Sequence, residues 1–278
     1  MTTFIIRLAA LLLIPLLHSE ATPPTYLDLT VIVPSLDTHE EIWPTFFTQL
    51  FKKWPDIPTP VLLGTAHKKY ADRRVSTIFT TTDWVETMQQ LLLNVRTRYV
   101  LILLDDYILY SPVDTERFAE LYQAMRKHQA ASLLLFVEPQ APRVGDDFGH
   151  ITGLREYNQT QHLRASLQAG IWDKEVLASL LKAHETPWQF EQCASLRSAD
   201  LSRPFLTIAH TPPFLYANLL QKGEYEPTAL ALLADHHIYV PTGTLPIRSR
   251  DISSWARLRI RIQALWQRIL PKQDICNY

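Results

Sequence analysis

Apolar and polar positions change period along this chain, so that strands and helices are predicted in turn. Leu27–Val33 (LDLTVIV) is a short apolar run closed by Pro34 and predicts a first strand. Pro44 suits an early helical position, and Phe46, Phe47, Leu50 and Phe51 then recur at helical spacing. Pro60–Leu63 and Val75–Phe79 predict two more strands. Asp83 with Glu86 forms a capping-box pattern ahead of a helix whose apolar stripe is Val85, Met88, Leu91, Leu92 and Val95. A run rich in Leu and Ile begins at Tyr99 and ends abruptly, after Leu104, in two adjacent carboxylates, Asp105 and Asp106. Such a run predicts a strand buried on both faces. Pro112-Val113-Asp114 restarts a helix with Phe118, Leu121, Tyr122 and Met125 inward, and Ser132–Val137 predicts the next strand. Pro139–Leu163 has no clear period and predicts a long loop. Ser166–Ile171 predicts a strand, Asp173 caps a helix bearing Val176, Leu177, Leu180 and Leu181, and Phe205–Ala209 predicts a late strand. Strands alternating with helices of this length predict an α/β fold with a mostly parallel sheet flanked by helices.

Composition narrows the class. The chain has 278 residues, 47% hydrophobic and 20% charged, which fits a globular domain with a smaller appendage. A formal net charge of -1 gives no pull toward nucleic acid, and none is expected as a partner. Glycine is scarce, and neither GxGxxG nor GxxxxGK[ST] occurs, which counts against a dinucleotide fingerprint or a P-loop. Cys193 and Cys276 stand far apart without metal spacing, so no disulfide framework is expected and a reducing compartment fits better.

The ends differ from the middle. Residues 1–25 carry an apolar segment, Phe4–Leu17, that reads as a signal-like h-region, a membrane contact or a start chosen too far upstream. Residues 26–250 form the expected catalytic domain, and 251–278 a C-terminal amphipathic helix. In Trp255–Lys272, Trp255, Leu258, Ile262, Leu265, Trp266 and Ile269 share one face and Arg257, Arg261, Arg268 and Lys272 another. Such a segment suits an anionic membrane surface, or a helix docked on the domain with its arginines in water.

The candidate chemistry starts at the acid pair. In open α/β sheets ligands bind just outside the carboxyl ends of the strands, and two carboxylates there can hold a divalent cation. Neighbouring side chains on a strand point to opposite faces, so both converge only if the strand ends at or before Asp105. The plainer alternative is a pair that merely ends a strand and starts a turn.

The strings LTVIVPS, YVLILLDDYILYSPVDTERF, SLQAGIW and TPWQFE, in that order, resemble a group of bacterial GT-A-type glycosyltransferases related to family 2. The resemblance runs from about Leu27 to about Arg197. It implies a GT-A-like nucleotide-diphospho-sugar transferase fold, a nucleotide-sugar donor and a glycan or lipid-linked acceptor, with inversion at the transferred sugar. It also implies Mn2+ or Mg2+ at a site of the DXD kind, although here the two carboxylates are adjacent. Carried onto this sequence, Asp106 is expected to bind the metal, and Asp105 to bind the metal or the donor's ribose. Ser35, Asp37 and Tyr107 are expected beside the donor, with His210 a further metal ligand. Glu191 is the expected base for the acceptor hydroxyl, and Trp188 an apolar platform for the acceptor sugar. Arg73 and Arg74 are thinner candidates for the diphosphate. A role in envelope polysaccharide or lipopolysaccharide synthesis, peripheral on the cytoplasmic face of the membrane, fits such a donor. A nucleotidyltransferase would share the sheet and the acids, but its glycine-rich basic loop is missing from Ser35–Glu41. A degenerate transferase domain that only binds sugar nucleotides is the non-enzymatic alternative.

Overall fold

A computed structural model of the chain describes residues 28–137 and 147–248. Strand β1 (Leu29–Pro34) leads through a 3-10 turn at Asp37–His39 into α1 (Trp43–Lys53). Next come β2 (Val61–Thr65), β3 (Val75–Phe79), α2 (Trp84–Leu93) and β4 (Tyr99–Ile102). β5 (Tyr107–Leu109), α3 (Thr115–Lys127), β6 (Ser132–Leu134) and β7 (Leu154–Glu156) follow. Then the chain forms β8 (Gly170–Asp173), α4 (Lys174–Leu180), α5 (Pro187–Arg197) and β9 (Phe205–Ile208). Three short strands, β10 (Tyr216–Asn218), β11 (Leu220–Gln221) and β12 (Glu224–Tyr225), precede α6 (Pro227–Asp235).

Eight strands form one sheet in the order β3-β2-β1-β4-β8-β6-β9-β7. β1 through β4 are mutually parallel, as are β6 and β9, while β8 and β7 run against their neighbours. The fold is therefore α/β with a mostly parallel central sheet flanked by helices, as the alternation of periods predicts. β2 and β4 are buried along their whole length because helices cover both faces. On one face α1 and α3 pack Phe46, Phe47, Leu50, Phe118 and Leu121 against Val31, Leu63 and Leu101. On the other, α2, α4 and α5 bring Met88, Leu91, Leu177 and Phe190 onto Ile32, Val100 and Ile102. Each such side chain contributes about 1.5–3 kcal/mol by leaving water. Gly64 of β2 allows α2 its close approach: a Cβ there would stand 3.0 Å from side-chain carbons of both Thr87 and Leu91.

The chain lays β2 and β3 to one side of β1, then returns to place β4 on the other side. The carboxyl ends of β1 and β4 thus meet at a topological switch point, the usual ligand crevice of open α/β sheets.

Several expectations shift. The strand at Tyr99 stops at Ile102, so the acid pair lies in a turn. β5 leaves the main sheet and pairs antiparallel with β10 instead. The strand expected at Ser166–Ile171 lies later, at Gly170–Asp173, and runs antiparallel. The segment expected as a loop over Pro139–Leu163 contains β7, which closes the sheet edge against β9. Asp83 accepts from the Glu86 backbone N–H at 3.0 Å, but the Glu86 carboxylate turns to the Thr81 hydroxyl, so only half a capping box forms. Cys193 is buried and disulfide-bonded, against the expectation of a chain without disulfides. Residues 1–25 and the basic segment Trp255–Lys272 lie outside the described residues. No described helix is long and apolar enough to cross a membrane.

Candidate functional site

A cleft of about 840 Å3 opens beyond the carboxyl ends of β1 and β4. Ser35 and His39 line it from the turn after β1, and Asp105, Asp106 and Tyr107 from the turn after β4. The opposite wall is the N-terminal end of α5, with Trp188 and Glu191. The tip of the β11–β12 hairpin borders it with Gln221, Lys222 and Gly223.

The two adjacent aspartates have different surroundings. Asp105 is 3% exposed and is held from three sides. Its Oδ2 accepts from the Ser35 hydroxyl in a short hydrogen bond and from the Trp43 indole N–H at 3.3 Å. The same indole donates to Ser35 Oγ at 2.8 Å. His39 Nδ1 lies 3.1 Å from both carboxylate oxygens. Burial opposes a charge on His39, yet Asp105 beside it, then Asp106 and Glu41, raise its pKa above the ordinary imidazole value. Asp105 therefore ties the turn after β4 to the turn after β1.

Asp106 is partly exposed to the cleft. With the Asn218 amide turned so that nitrogen faces acceptors, it donates to Asp106 Oδ2 at 2.9 Å and to the Leu220 carbonyl at 2.9 Å. Burial, and then the neighbouring Asp105 charge, push the Asp106 carboxyl up to about 7. Asn218 sits opposite Tyr107 in the β5–β10 ladder, so the pairing that pulls β5 out of the main sheet also delivers the amide. Tyr107 stacks on Tyr216 at 4.6 Å between ring centres, and the Tyr216 hydroxyl donates to Gln168 Oε1 at 2.5 Å. Burial, with Tyr216, Asp106 and Glu191 nearby, raises the Tyr107 hydroxyl well above its ordinary pKa.

Glu191 stands one turn into α5. Thr186 and Gln189 form a full capping box and Pro187 takes the first helical position, which together start the helix at this point. Glu191 Oε1 accepts from the Leu167 N–H at 2.7 Å and from the Ser166 hydroxyl at 3.1 Å. Burial nevertheless raises its pKa above the usual carboxylate value. Trp188, 59% exposed, stands at the mouth of the cleft. The other cleft carboxylates are matched: Glu185 pairs with Arg197 at 2.6 Å, and Asp83 caps α2. No acidic residue stands in the first turn of α5, whose N-terminal end favours negative charge in the cleft.

Other sequence candidates lie elsewhere. Asp37 does not line the cleft; its carboxylate accepts from the backbone N–H groups of Ala66, His67 and Lys68 and holds the turn after β2. His210 follows β9 and contacts the Thr211 hydroxyl at 3.1 Å, away from the cleft lining. Arg74 pairs with Asp72 and lies over the Phe51 ring at 3.8 Å. The expected ligand set of Asp105, Asp106 and His210 is thus not assembled, because Asp105 is occupied by donors and His210 is on another edge. Among the described residues no group of three His, Cys, Asp or Glu side chains could hold a metal ion. Asp106 is the one of these expected ligands with an open side toward the cleft. Sequence reasoning missed His39, Trp43, Gln168, Asn218 and Lys222. Trp43 opens α1, and the other four reach the site through turns or a three-residue strand, which leave no periodic signal.

No family model matches this chain, and no curated protein matches it. Solved structures with similarity include S. aureus TarS 1-349, 14% identical over 78% of this chain and 67% of that one, with a TM-score of 0.46. The bifunctional IspDF from Campylobacter jejuni is 12% identical over 69% of this chain, with a TM-score of 0.40, and this chain spans 52% of its length. The 2-C-methyl-D-erythritol 4-phosphate cytidylyltransferase from Thermus thermophilus is 12% identical over 76% of this chain and 100% of that one, with a TM-score of 0.47. At this identity and degree of superposition, none of them says what this chain binds or does.

Proposed function

We propose that this protein is a GT-A-like glycosyltransferase that moves a sugar from a nucleoside-diphosphate donor to a hydroxyl on a glycan or lipid-linked acceptor. The observation that carries this reading is the pairing of Asp106 with Glu191. These two carboxyls flank one cleft at the switch point between β1 and β4, and burial raises the pKa of both. The ordered strings that resemble the family 2 enzymes supply four of the cleft's walls: Ser35, Asp105 to Tyr107, Leu167 to Gln168, and Trp188 to Glu191.

In this reading the donor lies across the turns after β1 and β4, and the acceptor enters past Trp188. Glu191 takes the proton of the acceptor hydroxyl; its raised pKa brings it closer to neutrality, where a base both ionises and accepts effectively. The acceptor oxygen bonds to the anomeric carbon as the bond from that carbon to the diphosphate breaks. The electron pair leaves with the nucleoside diphosphate. Asp106, positioned by Asn218, orients the donor through its ribose or sugar hydroxyls. Asp105 is a positioning residue that fixes Ser35 and the turn after β4. Attack from the side opposite the leaving group gives inversion.

The test is release of nucleoside diphosphate from a panel of nucleotide sugars in the presence of candidate glycan and lipid-linked acceptors. Wild-type protein is expected to turn over at least one donor. Glu191→Gln should lower kcat by about 100-fold or more, the usual contribution of a general base, with donor binding retained. Wild-type rates in Glu191→Gln would remove the base from this scheme. A wild-type protein that binds nucleotide sugars but turns over none would make it a binding module.

A further inference from the structure

We infer that Lys222, at the tip of the β11–β12 hairpin, is the cation that receives the diphosphate of the donor. The inference rests on the glycosyltransferase reading of the cleft and names a residue that reading does not use. A diphosphate brings at least two negative charges into a cleft already holding Asp106 and Glu191. Among the described residues that line it, Lys222 is the single lysine or arginine. His39 is engaged with Asp105.

The backbone marks the same residue. Lys222 and Gly223 form a two-residue turn with φ of 55° and 76°, both in the left-handed region. A hairpin turn with two positive φ values favours Asn or Asp followed by Gly. Gly223 meets that demand, and a Cβ there would touch nothing within 4 Å. Lysine at the first position goes against it, since the left-handed region disfavours a side chain of this kind. Local preference does not account for a lysine here, whereas a charge required at the cleft does.

The hairpin's base is fixed against the acid pair. The Leu219 N–H donates to the Asp106 carbonyl at 2.8 Å, and Asn218 donates to the Asp106 carboxylate. Leu220 is buried, and the Tyr225 hydroxyl donates to Glu41 Oε1 at 2.6 Å. Gln221, Lys222 and Gly223 are exposed. A rigid base with a charged exposed tip holds one ammonium group at the cleft rim, on the same strand-turn unit that positions Asp106.

The experiment is calorimetric titration of UDP, GDP, CDP, ADP and dTDP, and of their nucleosides, into the full chain, in EDTA and again with Mn2+. The proteins compared are wild type, Lys222→Asn and Lys222→Arg. Asparagine accepts the turn's backbone, so loss of folding does not confound the result. Wild-type protein is expected to bind one nucleoside diphosphate more tightly than its nucleoside. Lys222→Asn should weaken that diphosphate by about ten-fold or more, as loss of a charge-assisted hydrogen bond does. It should leave the nucleoside unchanged, and Lys222→Arg should restore most of the difference. Equal diphosphate affinity in wild type and Lys222→Asn overturns the role of Lys222 while the glycosyltransferase reading stands. A wild type that binds no nucleoside diphosphate overturns that reading and the inference with it.

Discussion

Asp105 and Asp106 are neighbours in sequence with opposite thermodynamic roles. Asp105 accepts hydrogen bonds from Ser35, His39 and Trp43 in a buried setting. Asp105→Ala removes that acceptor and leaves the Trp43 indole and the Ser35 hydroxyl without their shared partner, so it should cost about 2–4 kcal/mol in denaturant unfolding. Asp106 carries the reverse sign. Its folded pKa of about 7 stands above the ~3.9 of an unfolded aspartate. Below about pH 4 both states hold the proton and the group is neutral in stability; as pH rises toward 7 the unfolded chain ionises first and the folded state is penalised. Asp106→Asn, which keeps an oxygen for Asn218, should therefore raise the unfolding midpoint little at pH 4 and most above pH 7. An unchanged midpoint at pH 8 would contradict the burial argument. The sequence made the pair conspicuous but could not assign these roles. The partners that separate them come from Ser35, His39, Trp43 and Asn218, 62 to 112 positions away.

At the scale of the element, legibility follows length and amphipathicity. β3 lies where its apolar run predicts, and α2, α3 and α4 carry their apolar stripes into the core. α5 was not legible as a helix, because apolar and polar residues do not separate along it: Trp188 projects outward while Cys193 and Ser195 are buried. Its start is set by capping instead. Thr186→Ala should cost about 1 kcal/mol by unsealing that first turn. Because Glu191 stands just one turn further on, this variant should also lower the rate of the proposed sugar transfer more than its stability loss alone explains; thermal melts paired with initial rates check this. β10, β11 and β12 escaped the sequence because strands of two or three residues carry no alternation. The hairpin makes a prediction of its own. Lys222→Asn should be neutral or stabilising by up to about 1 kcal/mol, since it relieves the left-handed lysine. A clear destabilisation in chemical denaturation would mean that the lysine supports the turn.

At the scale of the molecule, the sheet places the cleft and a single carboxylate secures its β11–β12 side. Glu41 follows the turn after β1, yet it accepts from the Tyr225 hydroxyl, from the Thr244 N–H at 2.6 Å and from the Leu245 N–H at 3.1 Å. Burial opposes its charge, but these hydrogen bonds outweigh it and lower the Glu41 carboxyl to about 2. Its contribution is present above the unfolded value near 4.3 and is lost as pH falls through about 2. Glu41→Gln should therefore destabilise the protein at pH 6 and make its acid unfolding less steep between about pH 4 and 2, a difference readable by circular dichroism. Beyond Glu41, the Tyr225 N–H donates to the Pro246 carbonyl at 2.8 Å and the Arg248 N–H to the Tyr225 carbonyl at 3.0 Å.

This contact sets where the protein can be cut. The helix α6 ends at Asp235 and looks like a natural place to trim an expression fragment. Such a fragment would lack Thr244 and Leu245, and with them the partners that Glu41 holds and one of the cleft's lining residues. A chain stopped at Asp235 should thus be clipped by trypsin in the β11–β12 hairpin, at Lys222, faster than one carried to Arg248. The shortest fragment that keeps these contacts is fixed by the reach of Glu41.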